Sequence, residues 1–167
     1  MSAEIRYRYE YADGSHAYDV IRTPGKEFRQ VPASGKTGPG AMEGVELVPY
    51  RLPEIVTAVA RGETVWIVEG EKDADTLRDL DETATTSPGG AGNWRPEYAQ
   101  YVKGAKVVLC PDRDAAGAKY ALEVYGSLVG IADSVEICHA AVGKDVTDHI
   151  DARQPLADLV PVELAEL

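Results

Sequence analysis

The sequence predicts an α/β fold: a four-stranded, mostly parallel sheet flanked by helices, preceded by a small N-terminal antiparallel β region. Three observations carry this reading. Lys106-Val107-Val108-Leu109-Cys110 is an apolar run cut short by Pro111-Asp112-Arg113-Asp114, the texture of a strand buried on both faces that ends at a charged turn. Strand and helix signals alternate from Thr64 onward, which implies right-handed crossovers between parallel neighbours. Before that, Ile5, Tyr7, Tyr9 and Tyr11 alternate with Arg6, Arg8 and Glu10, a period of two that belongs to a half-buried strand with its aromatic face packed.

The elements follow in order. Ala12-Asp13-Gly14-Ser15 supplies an Asp-Gly turn and 16–22 resumes an extended pattern, so the chain opens as a β-hairpin. A third short strand is expected over 27–31. Residues 32–44 are rich in Gly, Pro, Ser and Thr and read as a loop with Lys36 near its tip. A further strand is expected over 46–49. Pro53 suits the first turn of a helix to Ala60, stopped by Gly62. Next come a strand over 64–68 and a helix over 72–80 with Ala74, Leu77 and Leu80 inward. A short strand over 84–87 runs into Pro88-Gly89-Gly90-Ala91-Gly92, and Asn93 is expected to cap a helix over 94–102. After the central strand, 115–129 is a helix with Ala118, Ala121, Leu122, Tyr125, Leu128 and Val129 at helical spacing. A fourth strand is expected over 134–138 and a last short helix over 145–152. The organisation is then a β-rich region over 1–61, the α/β domain over 62–154 and a tail over 155–167.

Composition narrows the function. The net charge is −11, and it is uneven: residues 1–61 hold eight Lys/Arg against eight Asp/Glu, whereas 62–167 hold nine against twenty. So acidic a surface is a poor partner for nucleic acid unless bound cations invert the field at the acids or the neutral N-terminal part provides the phosphate contacts. No apolar run approaches the roughly 20 residues of a membrane helix, so no membrane partner is expected, and the expected location is the cytoplasm. Two cysteines, Cys110 and Cys138, give neither a disulfide framework nor a zinc spacing.

The acids at the strand ends carry the chemistry. Glu69-Gly70 ends one strand, Asp112-x-Asp114 ends the next, and Lys144-Asp145 with Asp148 follows the fourth. In open α/β sheets that edge is where ligands bind. Taken singly, each acid has an ordinary role as a cap at the start of the next helix. Taken together, Glu69, Asp112, Asp114 and Asp145 crowd one edge, where like charges repel unless cations hold them, and hard oxygen donors of this kind suit Mg²⁺. Lys72, Arg95, Arg113, Lys119 and Lys144 flank the edge as candidates for holding phosphate. The Gly89–Gly92 turn is either a phosphate-approach loop or a plain connection needing positive φ.

Glu69-Gly70-Glu71-Lys72-Asp73-Ala74 with Pro111-Asp112-Arg113-Asp114-Ala115-Ala116-Gly117 resembles the TOPRIM domain. Ser87-Pro88-Gly89-Gly90-Ala91-Gly92-Asn93-Trp94-Arg95-Pro96, Lys144-Asp145-Val146-Thr147-Asp148 and Tyr50-Arg51-Leu52-Pro53-Glu54 are most similar to phage and mobile-element primases and primase-helicases. The resemblance implies a Rossmann-like TOPRIM domain over about 63–152 with a Mg²⁺ or Mn²⁺ site for phosphoryl or nucleotidyl transfer on nucleic acid. It implies Glu69 as general acid/base or ligand, Asp112 and Asp114 as ligands, Asp145 at a second cation, and Asp73 and Asp148 as supporting acids. The implied partners are single-stranded DNA template and nucleotides, with a separate helicase or zinc-module protein, since the sequence has no cysteine-rich zinc module and no helicase motor. The alternatives are a metal-dependent nuclease and a non-catalytic module that recruits replication proteins. Topoisomerase activity is disfavoured, because no tyrosine-bearing DNA-gate region follows.

Overall fold

A computed structural model describes residues 3–167; residues 1 and 2 of the N-terminal region lie outside it. The chain opens as a three-stranded antiparallel sheet of β1 (Ile5–Glu10), β2 (His16–Arg22) and β3 (Phe28–Pro32), in the order β1-β2-β3. Register runs Tyr7 against Val20 and Tyr9 against Tyr18. Tyr7, Tyr9, Tyr18 and Val20 are buried, and Tyr9 stacks on Tyr18 with ring centroids 4.8 Å apart. The expected aromatic face is therefore the packed one.

The segment 46–49 does not form a strand. Its backbone partners come from a side chain: the Tyr18 hydroxyl donates to the Val48 carbonyl at 2.7 Å and accepts from the Val48 N–H at 3.1 Å. Helix α1 (Leu52–Ala60) then begins with Pro53 in its first turn.

The second sheet has five strands in the order β5-β4-β6-β7-β8: β4 (Val65–Val68), β5 (Thr83–Thr85), β6 (Lys106–Cys110), β7 (Ser134–His139) and β8 (Val160–Pro161). The first four pair in parallel. The fifth, unforeseen in the sequence, lies antiparallel on β7, with Cys138 opposite Pro161 and His139 opposite Val160. A two-residue strand containing proline has no periodicity to read, so its pairing is legible only in space.

All four residues of β4 are buried, and they divide by face. Trp66 and Val68 join Cys110, Cys138, Ala74 and Leu77 of α2 (Glu71–Arg78) and the tyrosines of the antiparallel sheet in one core. Val65 and Ile67 join Val107, Leu109 and Ile137 in a second core, closed by Ile55 of α1 and by Tyr120, Val124 and Leu128 of α3 (Ala115–Leu128). Each such side chain contributes about 1.5–3 kcal/mol on burial.

Three sequence expectations shift locally. The helix expected over 94–102 is a 3₁₀ segment, Pro96–Val102, with Arg95 rather than Asn93 at the N-cap position and no side-chain cap. Arg95 precedes proline and is held extended at φ −111° and ψ 132°, while the Asn93 amide donates to the Gly89 carbonyl at 3.2 Å. Leu80 is exposed because α2 ends at Arg78, and Val129 is exposed because α3 ends at Leu128. Leu122 faces solvent as well. Helix α4 (Val146–Asp151) forms where expected. Among the described residues, no helix is long and apolar enough to cross a membrane.

Candidate metal centre

The chain leaves β4 for β5 on one side, then crosses to β6 on the other. That reversal opens a crevice between the carboxyl ends of β4 and β6, the position where open α/β sheets take their ligands. Glu69 follows β4, Asp112 and Asp114 follow β6, and Asp145 caps α4 beyond β7. Asp73, in the first turn of α2, faces the same crevice.

Carboxylate oxygens of Asp73, Asp112 and Asp145 lie within 4.8 Å of one another. Asp73 is buried and takes a hydrogen bond from the Thr147 hydroxyl of α4. Burial, aided by the nearby charges of Asp145 and Asp112, pushes its carboxyl up to about 7 against the Thr147 hydrogen bond. Three hard oxygen donors with no sulfur or imidazole among them fit Mg²⁺ or Mn²⁺.

Glu69 stands beside this group. Its Oε2 accepts the Asp112 backbone N–H at 2.6 Å, which fixes the turn that carries Asp112. Burial raises its carboxyl to about 7, with the neighbouring Asp112 and Asp114 charges adding to the rise. Asp112 is raised by burial too, though Lys144 opposes the shift. Lys144 Nζ sits 3.2 Å from Asp112 Oδ2 and 2.9 Å from Asp114 Oδ2, and these contacts hold its ammonium well above the usual lysine range.

Asp114 and Asp148 also bond the backbone. Asp114 caps α3, its Oδ1 accepting the Gly117 N–H at 2.7 Å, and this bond with Lys144 holds its carboxyl low. Gly117 has no room for more: a Cβ there would lie 2.1 Å from the Asp112 carbonyl oxygen and 2.9 Å from Glu69 Oε2. Asp148 accepts the Lys144 N–H at 2.8 Å and so braces the loop behind Asp145. Gly143, at φ +80°, lets that loop pass where a Cβ would meet the Asp148 Cβ at 2.3 Å.

An open cleft of about 360 Å³ surrounds the acids. Lys72 and Lys144 line it, as do Gly89, Gly90 and Ala91 of the glycine turn. Arg113 and Lys119 are not among its lining residues, and Arg95 lines a different cleft. Sequence reasoning missed the opposite wall, which the antiparallel sheet supplies through Tyr7, Arg22 and Phe28. The Arg22 guanidinium lies 5.9 Å from the Phe28 ring centroid. Alternation marked Tyr7 as inward-facing, but nothing in the spacing said which edge that sheet would cover. Glu71 was missed as well; it is buried and accepts the Tyr9 hydroxyl at 2.8 Å, tying the two sheets together beside the cleft.

No family model and no curated protein sequence matches the chain. Solved structures do. A DNA primase domain from Pseudomonas aeruginosa aligns with a TM-score of 0.70 at 19% identity, covering 96% of this chain and 53% of that one. The fold is that of a primase catalytic core. The E. coli primase catalytic core gives 0.68 at 17% identity, covering 96% and 54%. The primase fragment of the bacteriophage T7 primase-helicase protein gives 0.63 at 19%, covering 89% and 58%. The chain thus spans little more than half the length of these solved primase chains. The primase-core fold accounts for both sheets, the antiparallel one included, since the alignments cover nearly the whole chain.

Proposed function

We propose that the chain provides the metal-binding centre of a primase-type nucleotidyltransferase, acting with Mg²⁺ or Mn²⁺ on nucleotides and a single-stranded DNA template. One observation carries the reading: Asp73 of the first turn of α2, Asp112 after β6 and Asp145 at the start of α4 bring oxygens within 4.8 Å at the reversal point of a primase-core sheet. When bound, a divalent cation supplies charge neutralisation on phosphate and a more acidic attacking hydroxyl.

The protein's own groups supply placement and proton handling. Asp73 is anchored by Thr147 and Asp112 by the Glu69 contact at its N–H, so the donors are held before any ligand arrives. Glu69, titrating near 7, is poised to accept a proton at neutral pH. Lys144 and Lys72 place cationic donors in the cleft, and Arg22 adds one from the facing sheet. Asp114 and Asp148 contribute by holding α3 and the 143–145 loop in register. A separate helicase or zinc-module protein would supply template handling; the T7 protein is a primase-helicase, and the Aquifex aeolicus primase carries a zinc-binding domain beside its RNA polymerase domain.

The test is primer synthesis. The full chain incubated with single-stranded DNA, ribonucleotides and Mn²⁺ is expected to yield short oligoribonucleotides, and Asp112→Asn or Asp73→Asn to reduce the yield at least about a hundredfold, the scale of losing a charge-stabilising group. Strand cleavage without added nucleotides would replace this reading with a nuclease. Absence of both, with no Mn²⁺-induced rise in melting midpoint, would leave a non-catalytic module.

A further inference from the structure

A groove of about 550 Å³ runs along the edge of β7 that faces away from β6, and it shares no lining residue with the metal-edge cleft. Its walls come from both faces of the sheet. Trp66, Val108 and Cys138 stand on the face that packs against the tyrosines of the antiparallel sheet, whereas Val135 and Ile137 stand on the face that packs against α3. A hollow walled from both faces lies along the strand edge itself, between β7 and the returning residues 159–164.

The backbone along this groove is open. The Ile137 carbonyl points away from β6 and accepts the Val162 N–H at 2.9 Å; in a parallel ladder, alternate residues turn their backbone groups to the same side. Val135 therefore turns its N–H and C=O outward as well, and no backbone bond from outside the sheet reaches either among the described residues. Strand β8 pairs only with Cys138 and His139, and the chain then folds away into a 3₁₀ turn, Leu164–Glu166. Apolar surface continues outward on both sides. Leu122 and Val129 share the face of α3 that turns Tyr125 into the groove, and they are 47% and 60% exposed although their spacing predicts an inward place. Leu164, on the opposite wall, is exposed too. The charged residues of the lining are Glu136 and Glu163, with no lysine or arginine among them.

We propose that this edge docks a short extended segment of a partner polypeptide, apolar residues alternating with lysine or arginine, which adds a strand against the amino half of β7. Each feature of the groove narrows the occupant. Open N–H and C=O groups call for another backbone, and a helix has already paired its own. Apolar walls on both faces of the edge suit a strand, whose successive side chains go to opposite faces. A rim of carboxylates with no cation attracts basic side chains and disfavours acidic ones. The same charge argues against a second copy of this chain, because pairing two β7 edges about a two-fold axis would bring Glu136 near its own counterpart and join two chains of net charge −11. The site lies toward the amino end of β7, away from the metal acids at the carboxyl ends of the strands, so a partner held there leaves the crevice open.

The test uses the full chain in EDTA, which keeps it separate from the metal reading, at about 0.15 M salt, where distant surface charges are screened. The probe is a dye-labelled heptapeptide of alternating valine and lysine. Fluorescence anisotropy is expected to show saturable binding, with a valine-glutamate heptapeptide at least about tenfold weaker. A valine-lysine heptapeptide N-methylated at every residue keeps the charge but has no backbone donors, and it too should bind at least about tenfold more weakly. Glu136→Lys, at an exposed position, should melt as the parent chain does and weaken the valine-lysine probe about tenfold, the scale of one charge-assisted contact. Absence of saturable binding, equal binding of the glutamate or the N-methylated peptide, or affinity unchanged in Glu136→Lys overturns the proposal. So does a dimer of the chain in sedimentation that the valine-lysine peptide dissociates, which would give the edge to a second copy.

Discussion

Glu69 and Asp73 are carboxyls that this fold keeps protonated beyond their ordinary range, from 4.5 and 3.8 up to about 7 in each case. The native state therefore binds protons that the unfolded chain has already released between about pH 4 and 7. Stability from these two groups falls as pH rises through that window and is fully lost above it. A divalent cation must displace the same protons. In EDTA the melting midpoint should fall from pH 5 to pH 8, and Mn²⁺ should restore more at pH 8 than at pH 6. A Mn²⁺ shift that is equal at the two pH values, or larger at pH 6, would remove the acids from the metal site. At this scale the sequence was informative about location and less so about direction. Glu69, Asp112 and Asp145 were legible as one edge from strand ends alone. Asp73, expected in a supporting place, lies within the tight oxygen group, because whether a first-turn side chain faces its own helix or the crevice depends on packing that spacing does not encode.

The same strand-to-helix turn gives two acids opposite relations to stability. Asp114 caps α3 through the Gly117 N–H, whereas Asp112 caps nothing, is desolvated and faces the Asp145 charge, with Lys144 opposing. In EDTA, Asp114→Ala is expected to cost about 1 kcal/mol, seen as a drop of roughly 2–4 °C. Asp112→Asn is expected to leave the midpoint level or raise it. A larger loss from Asp112→Asn than from Asp114→Ala would contradict this division. Strand β6 was readable as an apolar run cut short by a charged turn, helix α1 from Pro53 and Gly62 at its ends, and α3 because its period is long enough to count. The 46–49 segment and β8 were not. In the first, both backbone groups of Val48 bond to the Tyr18 hydroxyl rather than to a strand, and the second is defined only by the strand it lies on. The expected helix is a 3₁₀ segment that starts at Pro96, a start which the proline marked in the sequence and Asn93 obscured.

Across the whole molecule, the antiparallel and parallel sheets share one core: Tyr9 and Tyr18 meet Val68, Ala74 and Leu77, the Tyr9 hydroxyl pairs with buried Glu71, and Thr86 O accepts the Tyr50 N–H at 2.9 Å. We predict that residues 62–167 expressed alone lack a cooperative thermal transition by circular dichroism, since Glu71 would lose its partner and the Val68 face its cover; the full chain should melt once. A fragment that melts sharply would show that each part stands by itself. Pattern and composition can mark where texture changes, as they do near residue 62, but not how much apolar surface the two textures bury against each other. The brief β8 pairing has a last consequence. By occupying the outer side of β7 at Cys138 and His139 with a proline-containing segment, it closes the carboxyl end of that edge, beside the metal crevice, to pairing by a foreign strand.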